Sequence, residues 1–279
     1  MKKYFVYWII IIFITILVWQ ILLPRNPAFQ GEIIFTIEKG DGSREIAYNL
    51  EKEKLIWFAP TFRIYVLTIG VSGKLQAGSY LLSPSMGLPE IVGKLVRGDI
   101  AKRKITIPEG FTLQQIEEKL NIKIDPGMEG FLFPDTYYFS YNATEEEIIK
   151  AIQDNFEKKI TQDLREEIRK QDKTISEIIA MASLIEKEIK EKGDKELVSG
   201  ILWKRLEVGM ALQVDAAPET YKVRGLPEKP ICNPGLESIR AAIYPESSQN
   251  WYYLSTPAGE TIFSKTLEEH NIAKYDYLK

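Results

Sequence analysis

Residues 4–23, YFVYWIIIIFITILVWQILL, run without a single charged side chain, and no other stretch restricts the fold so severely. At ~1.5 Å per residue such a helix is roughly 30 Å long, the thickness of a bilayer's hydrocarbon core. Tyr4, Tyr7, Trp8 and Trp19 stand near its two ends as interfacial anchors, and Lys2 and Lys3 precede it. Positive residues are retained on the cytoplasmic side, so the expected arrangement is a short cytoplasmic N-terminus, residues 1–3, and a single-pass anchor. A cleaved signal peptide is the competing reading. It is disfavoured because the run is long and LLPRNPAFQ offers no small-x-small cleavage site. The rest of the chain is then expected to fold outside the cytoplasm, tethered to the plasma membrane.

Composition removes several classes of function. A chain of 279 residues with 45% hydrophobic letters suffices for two modest domains. With a net charge of −3 and interspersed signs, it lacks the basic footprint of a nucleic-acid partner. One His and one Cys leave no internal disulfide, no CxxC and no zinc set of His and Cys ligands, so no metal or cofactor is expected. A secreted peptidase is disfavoured on the same count, since Cys232 would have His270 as its only imidazole partner. Cys232 reads better as a buried or turn thiol. Hydrolytic or lytic chemistry must therefore rest on carboxylates.

After the linker PRNPAFQG, residues 24–31, comes a strand, a Gly/Asp turn and a helix with Ile46, Ala47 and Leu50 facing inward. A similar phrase returns at 104–122, KITIPEGFTLQQIEEKLNI. Between them KLQAGSYLLSPSMGLPEIVGKLVRGDI reads as a strand or hairpin followed by a helix ending at Gly98. A first unit is thus expected over 24–103 and a second over 104–279. The second holds a series of helices opened by capping boxes at Thr144/Glu147, Thr174/Glu177 and Thr266/Glu269, with short strands near its end. Helices and strands mix without βαβ alternation, so the fold class is α+β.

One helix, TISEIIAMASLIEKEIKEKG at 174–193, contains a discordant residue. Gly193 reads as its stop, with Lys187, Lys190 and Lys192 gathered where the helix dipole favours cations. With Ala182 at zero, Ile178, Ile189, Ile175 and Ile179 fall between about −40° and +60°, and Glu186 falls near +40°, inside that apolar stripe. Glu188 sits roughly 160° away, on the face of Glu177 and Glu191. A buried Glu is rare, because ionisation there forfeits hydration; it pairs with a cation, protonates, or does chemistry. An apolar wall around Glu186 would raise its pKa, the state that a general acid needs.

Three further places could line a cleft. MEGFLFPDTYYFS brings Glu129, Asp135, Tyr137 and Tyr138 together among phenylalanines that read as core; Glu129 and Tyr137 stay open as substrate contacts. In ALQVD, read as a strand, Gln213 and Asp215 share one face opposite Leu212 and Val214. Asn233-Pro-Gly is a turn entering a helix whose free amides can hold a carbonyl or an anion. Spacing alone does not say whether any acid pairs with Glu186.

The segments IPEGFTLQQIEEKL, EGFLFPDTYYF, ASLIEKE, RLEVGMALQVD, GLPEKPICNPGLESIRAA and FSKTLEEHN, in this order, resemble motifs of the YceG-like family of endolytic murein transglycosylases. Residues 31–99 are similar to that family's LysM-like subdomain. The resemblance implies peptidoglycan glycan strands as substrate and cleavage of the MurNAc–GlcNAc β-1,4 bond without water. It also implies a 1,6-anhydro product end, limited strand elongation, and a place beside the cell-wall synthesis machinery. It puts catalysis on Glu186 and reaches Gln213 and Asp215 more weakly; Glu129, Tyr137 and Asn233 join them as candidate substrate contacts from the residues alone. One departure is plain: LQVDAAPETYKV runs almost directly from one family segment to the next, where members carry some twenty more residues. Loss of cleavage, leaving a wall-binding or scaffold protein, is the alternative that the short loop suggests.

Overall fold

The computed structural model describes residues 2–189 and 191–278, and resolves them into two compact units. One comprises residues 1–104 and 138–143, the other 105–137 and 144–279. Among the described residues there are eleven α-helices and three two-stranded sheets, an α+β architecture.

The first unit begins with α1 (Lys2–Leu22), which carries the apolar run. Strands β1 (Ile33–Ile37) and β2 (Gly78–Leu82) pair antiparallel with Phe35 opposite Tyr80. Helices α2 (Ser43–Lys52), α3 (Ala59–Thr68) and α4 (Leu88–Arg97) surround them. Ile46, Ala47 and Leu50 are buried as the periodicity of α2 requires, in a core with Phe62, Val66, Tyr80 and Leu95. Gly98 ends α4 in the left-handed region at φ 67°. A Cβ there would lie 2.4 Å from Gln76 Oε1, so glycine satisfies both the backbone and the space. The sequence announces α3 only by Pro60 in its first turn, because the helix is apolar on both faces and lacks a side-chain cap.

Strands β3 (Lys102–Thr106) and β4 (Thr136–Ser140) pair with each other, and the division between the units crosses both. The second unit continues with α5 (Leu113–Leu120), α6 (Glu145–Lys159), α7 (Gln162–Lys170), α8 (Ile175–Glu188), α9 (Lys192–Glu207) and α10 (Leu236–Ile243). It closes with the antiparallel pair β5 (Tyr252–Ser255) and β6 (Thr261–Ser264), then α11 (Leu267–Tyr277). All three expected capping boxes form, each Thr hydroxyl accepting the N–H three residues on.

α8 is the axis of this unit. Ile178 through Ile185 are buried without interruption, so this stretch has no solvent face, and α10 packs along it. Removing the Ile185 side chain to Ala would cost about 2–5 kcal/mol through lost burial and the cavity left behind. The helix ends earlier than its sequence suggests. Ile189 is already extended, and Gly193 lies in the first turn of α9 rather than at a C-cap; Lys190 falls outside the described residues. Mid-helix Gly200 in α9 is explained by contact, since a Cβ would meet the Glu246 carbonyl oxygen at 1.9 Å.

Candidate active site

The two glutamates closing α8 occupy different chemical surroundings. Glu186 is nearly enclosed, but its carboxylate leaves the apolar stripe and enters a polar cradle at the start of α10. Its Oε2 accepts the Gly235 N–H at 3.1 Å and the Ser238 hydroxyl at 2.6 Å, with Lys195 Nζ at 3.5 Å. The Lys195 and Glu186 side chains are only 6% and 10% exposed, so this is a buried ion pair, the outcome that an acid on a packed face makes available. Gly235 caps α10 and has no side chain with which to bond its amides; Glu186 supplies the anion from a neighbouring helix. The Asn233-Pro-Gly turn does hold an anion, and the anion is the chain's own.

Glu188 opens onto a cavity of about 280 Å³ lined by Arg205, Gln213, Asp215, Tyr221, Tyr253, His270 and Lys274, among others. Its Oε1 accepts the Ala216 N–H at 3.2 Å, and its carbonyl accepts the Ser255 hydroxyl at 3.1 Å. Burial pushes the Glu188 carboxyl above the ordinary range, and the Asp215 charge adds to this, while the amides of Ala216 and Asp215 oppose it. Tyr221 donates its hydroxyl to Asp215 Oδ1 and is pushed up to about 12, chiefly by that bond. Arg205 Nη1 reaches the Leu212 carbonyl at 2.6 Å, while Nε and Nη2 reach that of Trp251 at 2.9 and 2.6 Å. The guanidinium thereby fixes the cavity's walls to α9. Two lining residues carry buried polar atoms without hydrogen-bond partners among the described residues, the Tyr253 hydroxyl and His270 Nδ1. His270 is held below its usual pKa by burial, then by Lys274 and Arg205, so the imidazole is neutral at neutral pH. A polyhydroxylated ligand would supply the hydrogen bonds these atoms lack.

The residues named from sequence divide into three groups. Gln213 and Asp215 line the Glu188 cavity, with Leu212 and Val214 buried behind them, although no strand forms there. A turn does the work expected of a strand: Gln213 adopts φ 54° and its N–H reaches the Thr220 carbonyl at 3.2 Å.

Glu129 and Asn233 belong to a different network. Both Glu129 oxygens accept the Leu113 N–H, at 3.0 and 2.9 Å, and Oε1 also accepts Asn233 Nδ2 at 2.9 Å. The fully buried Asn233 also accepts the Leu132 N–H at 2.9 Å and donates to the Phe111 carbonyl at 3.0 Å. Burial raises the Glu129 pKa against these hydrogen bonds. Its carboxylate borders a cleft that includes Phe131, Glu177, Ala180 and Pro227. Tyr137 is core: its hydroxyl donates to the Phe133 carbonyl at 2.5 Å and accepts Asn155 Nδ2 at 3.1 Å, and burial pushes it up to about 12. Cys232 is fully buried and likewise pushed up to about 12 by burial, which leaves its thiol inert at neutral pH.

Sequence reasoning passed over Glu188, Tyr221, Arg205 and Tyr253. The helical wheel assigned Glu188 to an outer face, but residues 213–216 cross that face as a loop. The available signal was the second Glu of EKE together with ALQVD, a short acid-bearing segment.

Known proteins resemble this chain along most of its length. The YceG-like family pattern matches residues 35–219 and 218–276. A Bacillus subtilis protein named endolytic murein transglycosylase is 30% identical over 93% of this chain and 88% of its own length. A Streptococcus pneumoniae protein of the same name is 25% identical over 91% of this chain, which spans 60% of that relative. The crystal structure of a YceG-like protein from Listeria monocytogenes superposes with a TM-score of 0.57 at 30% identity, over 87% of this chain and 98% of the other. The two stretches of the family pattern meet at residues 218–219, just after Asp215. A pattern spanning both units, together with a shared fold, settles the classification: the chain belongs to the YceG-like family.

Proposed function

We propose that this protein is a membrane-anchored murein transglycosylase in which Glu188 is the general acid, an alternative to Glu186, on which the family resemblance puts catalysis. Glu188 is the buried acid of the helix that opens onto a polar cavity and is biased toward its protonated form beside a second carboxylate. That observation carries the reading. The names of the two bacterial relatives support murein as the substrate.

In the proposed reaction Glu188 gives its proton to the glycosidic oxygen, and the bond from C1 of N-acetylmuramic acid to that oxygen breaks. The Glu188 carboxylate then takes the proton of the C6 hydroxyl of the same sugar, whose oxygen bonds to C1. The product is a 1,6-anhydro end and a free 4-hydroxyl, with Glu188 reprotonated and no water consumed. One carboxyl serves both steps because the nucleophile is intramolecular. Asp215, held by the Tyr221 hydroxyl, supplies negative charge near the oxocarbenium-like centre and keeps the neighbouring proton on Glu188. The neutral His270 and the Tyr253 hydroxyl bind sugar hydroxyls or acetamido groups.

α1 is long and apolar enough to cross a membrane, with none of its span buried in the fold, and this supports a plasma-membrane anchor with the remainder extracytoplasmic. The first unit, similar in sequence to LysM-like modules, would hold glycan strands near that surface.

Incubation of the full chain with purified sacculi, followed by mass spectrometry of released muropeptides, tests the assignment. Anhydro products are expected, and Glu188→Gln should abolish them. Loss of products in a folded Glu186→Gln protein, with Glu188→Gln active, would return the acid to Glu186. Sacculus binding without release, unaffected by either change, would indicate a wall-binding scaffold.

A further inference from the structure

Helix α3 presents apolar side chains in two directions. Thr61, Phe62 and Val66 face the core of the first unit, while Ile64 and Leu67 are exposed, at 42% and 59%, in line with Pro60 and flanked by Arg63. Phe58, just before the helix, is 50% exposed. The neighbouring α2 behaves differently: its outer positions are Arg44, Glu45, Tyr48 and Lys52, the surface of a helix meeting water.

The start of α3 is bonded to the end of the apolar α1. Thr61 Oγ1 donates to Gln20 Oε1 at 2.6 Å, Trp57 Nε1 donates to the Leu23 carbonyl at 3.2 Å, and the Trp57 ring lies 5.1 Å from that of Trp19. Trp19 and Trp57 form an aromatic pair where the apolar run stops, the depth at which such rings settle in a bilayer. Phe58 is one peptide bond beyond that pair.

Taking α1 as a membrane span, we propose that the outer face of α3, with Phe58, Ile64 and Leu67, is a second membrane contact that seats the first unit on the outer leaflet. The occupant is lipid, because this apolar face begins at Phe58, next to the Trp57 that is bonded to the end of a helix whose own surroundings are lipid. Phe58, Ile64 and Leu67 enter the acyl boundary, and Arg63 reaches the phosphates with its aliphatic stem along the same face. Two attachments in place of one restrict the tilt of the first unit about α1.

The test uses the full chain in liposomes with an environment-sensitive fluorophore on single introduced cysteines; the native Cys232 is buried. Labels at Phe58→Cys and Leu67→Cys should be quenched about twofold or more by lipids carrying a nitroxide near the headgroup. A label at Glu45→Cys on α2 should not respond. Phe13→Cys, within α1, should respond to a nitroxide deep in the acyl chains. Quenching at Phe13 with none at positions 58 and 67 would overturn the α3 contact while leaving the span intact. Absence of quenching at Phe13 would remove the span and the proposal with it.

Discussion

Glu186 and Glu188 are separated by one residue, yet the fold gives them opposite surroundings. Glu186 meets a lysine, a hydroxyl and a helix N-terminus, and these contacts anchor α8 to α9 and α10. Glu188 meets a second acid and an open polar cavity, and burial, then the Asp215 charge, raises its pKa above the ordinary glutamate value. An acid surrounded by donors is a structural joint; an acid short of donors, facing a cavity, is able to give a proton away. Burial by itself does not distinguish the two. The partners do.

The largest expected contrast is catalytic. On the proposed mechanism Glu188→Gln lowers anhydro-muropeptide release by about 10³-fold or more, the scale of a lost general acid. The same change should not weaken the fold near neutral pH. Because the folded pKa of Glu188 is raised, the benefit of its neutral form is fully present below the ordinary glutamate value and is lost as pH rises through the raised one. A permanently neutral Gln therefore raises Tm at neutral pH, and this gain disappears under acidic conditions. A fall in Tm at pH 7 would place Glu188 among the structural acids.

Glu186 should give the reverse pattern. Glu186→Gln leaves Lys195 buried without its counter-charge and costs about 3–5 kcal/mol in urea unfolding. Adding Lys195→Met should recover part of that loss, since the unpaired charge is then gone. A cost under about 1 kcal/mol would mean that the ion pair is not the joint described.

Smaller effects separate the partners of Glu188. Asp215→Asn removes a charge that helps to keep the proton on Glu188, so the alkaline limb of the pH–rate profile should move to lower pH. An unmoved limb would uncouple the two acids. Tyr221→Phe deletes only the hydroxyl bonded to Asp215, and a drop of about tenfold or less is expected, with stability nearly unchanged.

What could be read from the chain follows from how local each signal is. The capping boxes at Thr144, Thr174 and Thr266 need only residues three apart, and all formed. The core positions of α2 and the left-handed stop at Gly98 are equally local. ALQVD shows where locality ends: alternation put Gln213 and Asp215 on one side, and that held, but the strand did not, because no neighbouring strand supplies the ladder. For α8 periodicity separated Glu186 from Glu188 correctly in angle and then had no means of saying what covers each face. A helix enclosed on all sides from 178 to 185 has no outside.

The sequence alone therefore determined the apolar span, the α+β class, the caps at Thr144, Thr174 and Thr266, the stop at Gly98, and the family. Tertiary structure alone decided that Lys195 and the Ser238 hydroxyl meet one glutamate while Asp215 and Tyr221 gather around the other. It also bonded the start of α3 to the end of α1. Caps and periodicity come from backbone geometry repeating every few residues, which a chain carries wherever it goes. The proton affinity of a carboxyl depends on charges and donors brought from distant segments, and those meet only in the folded molecule.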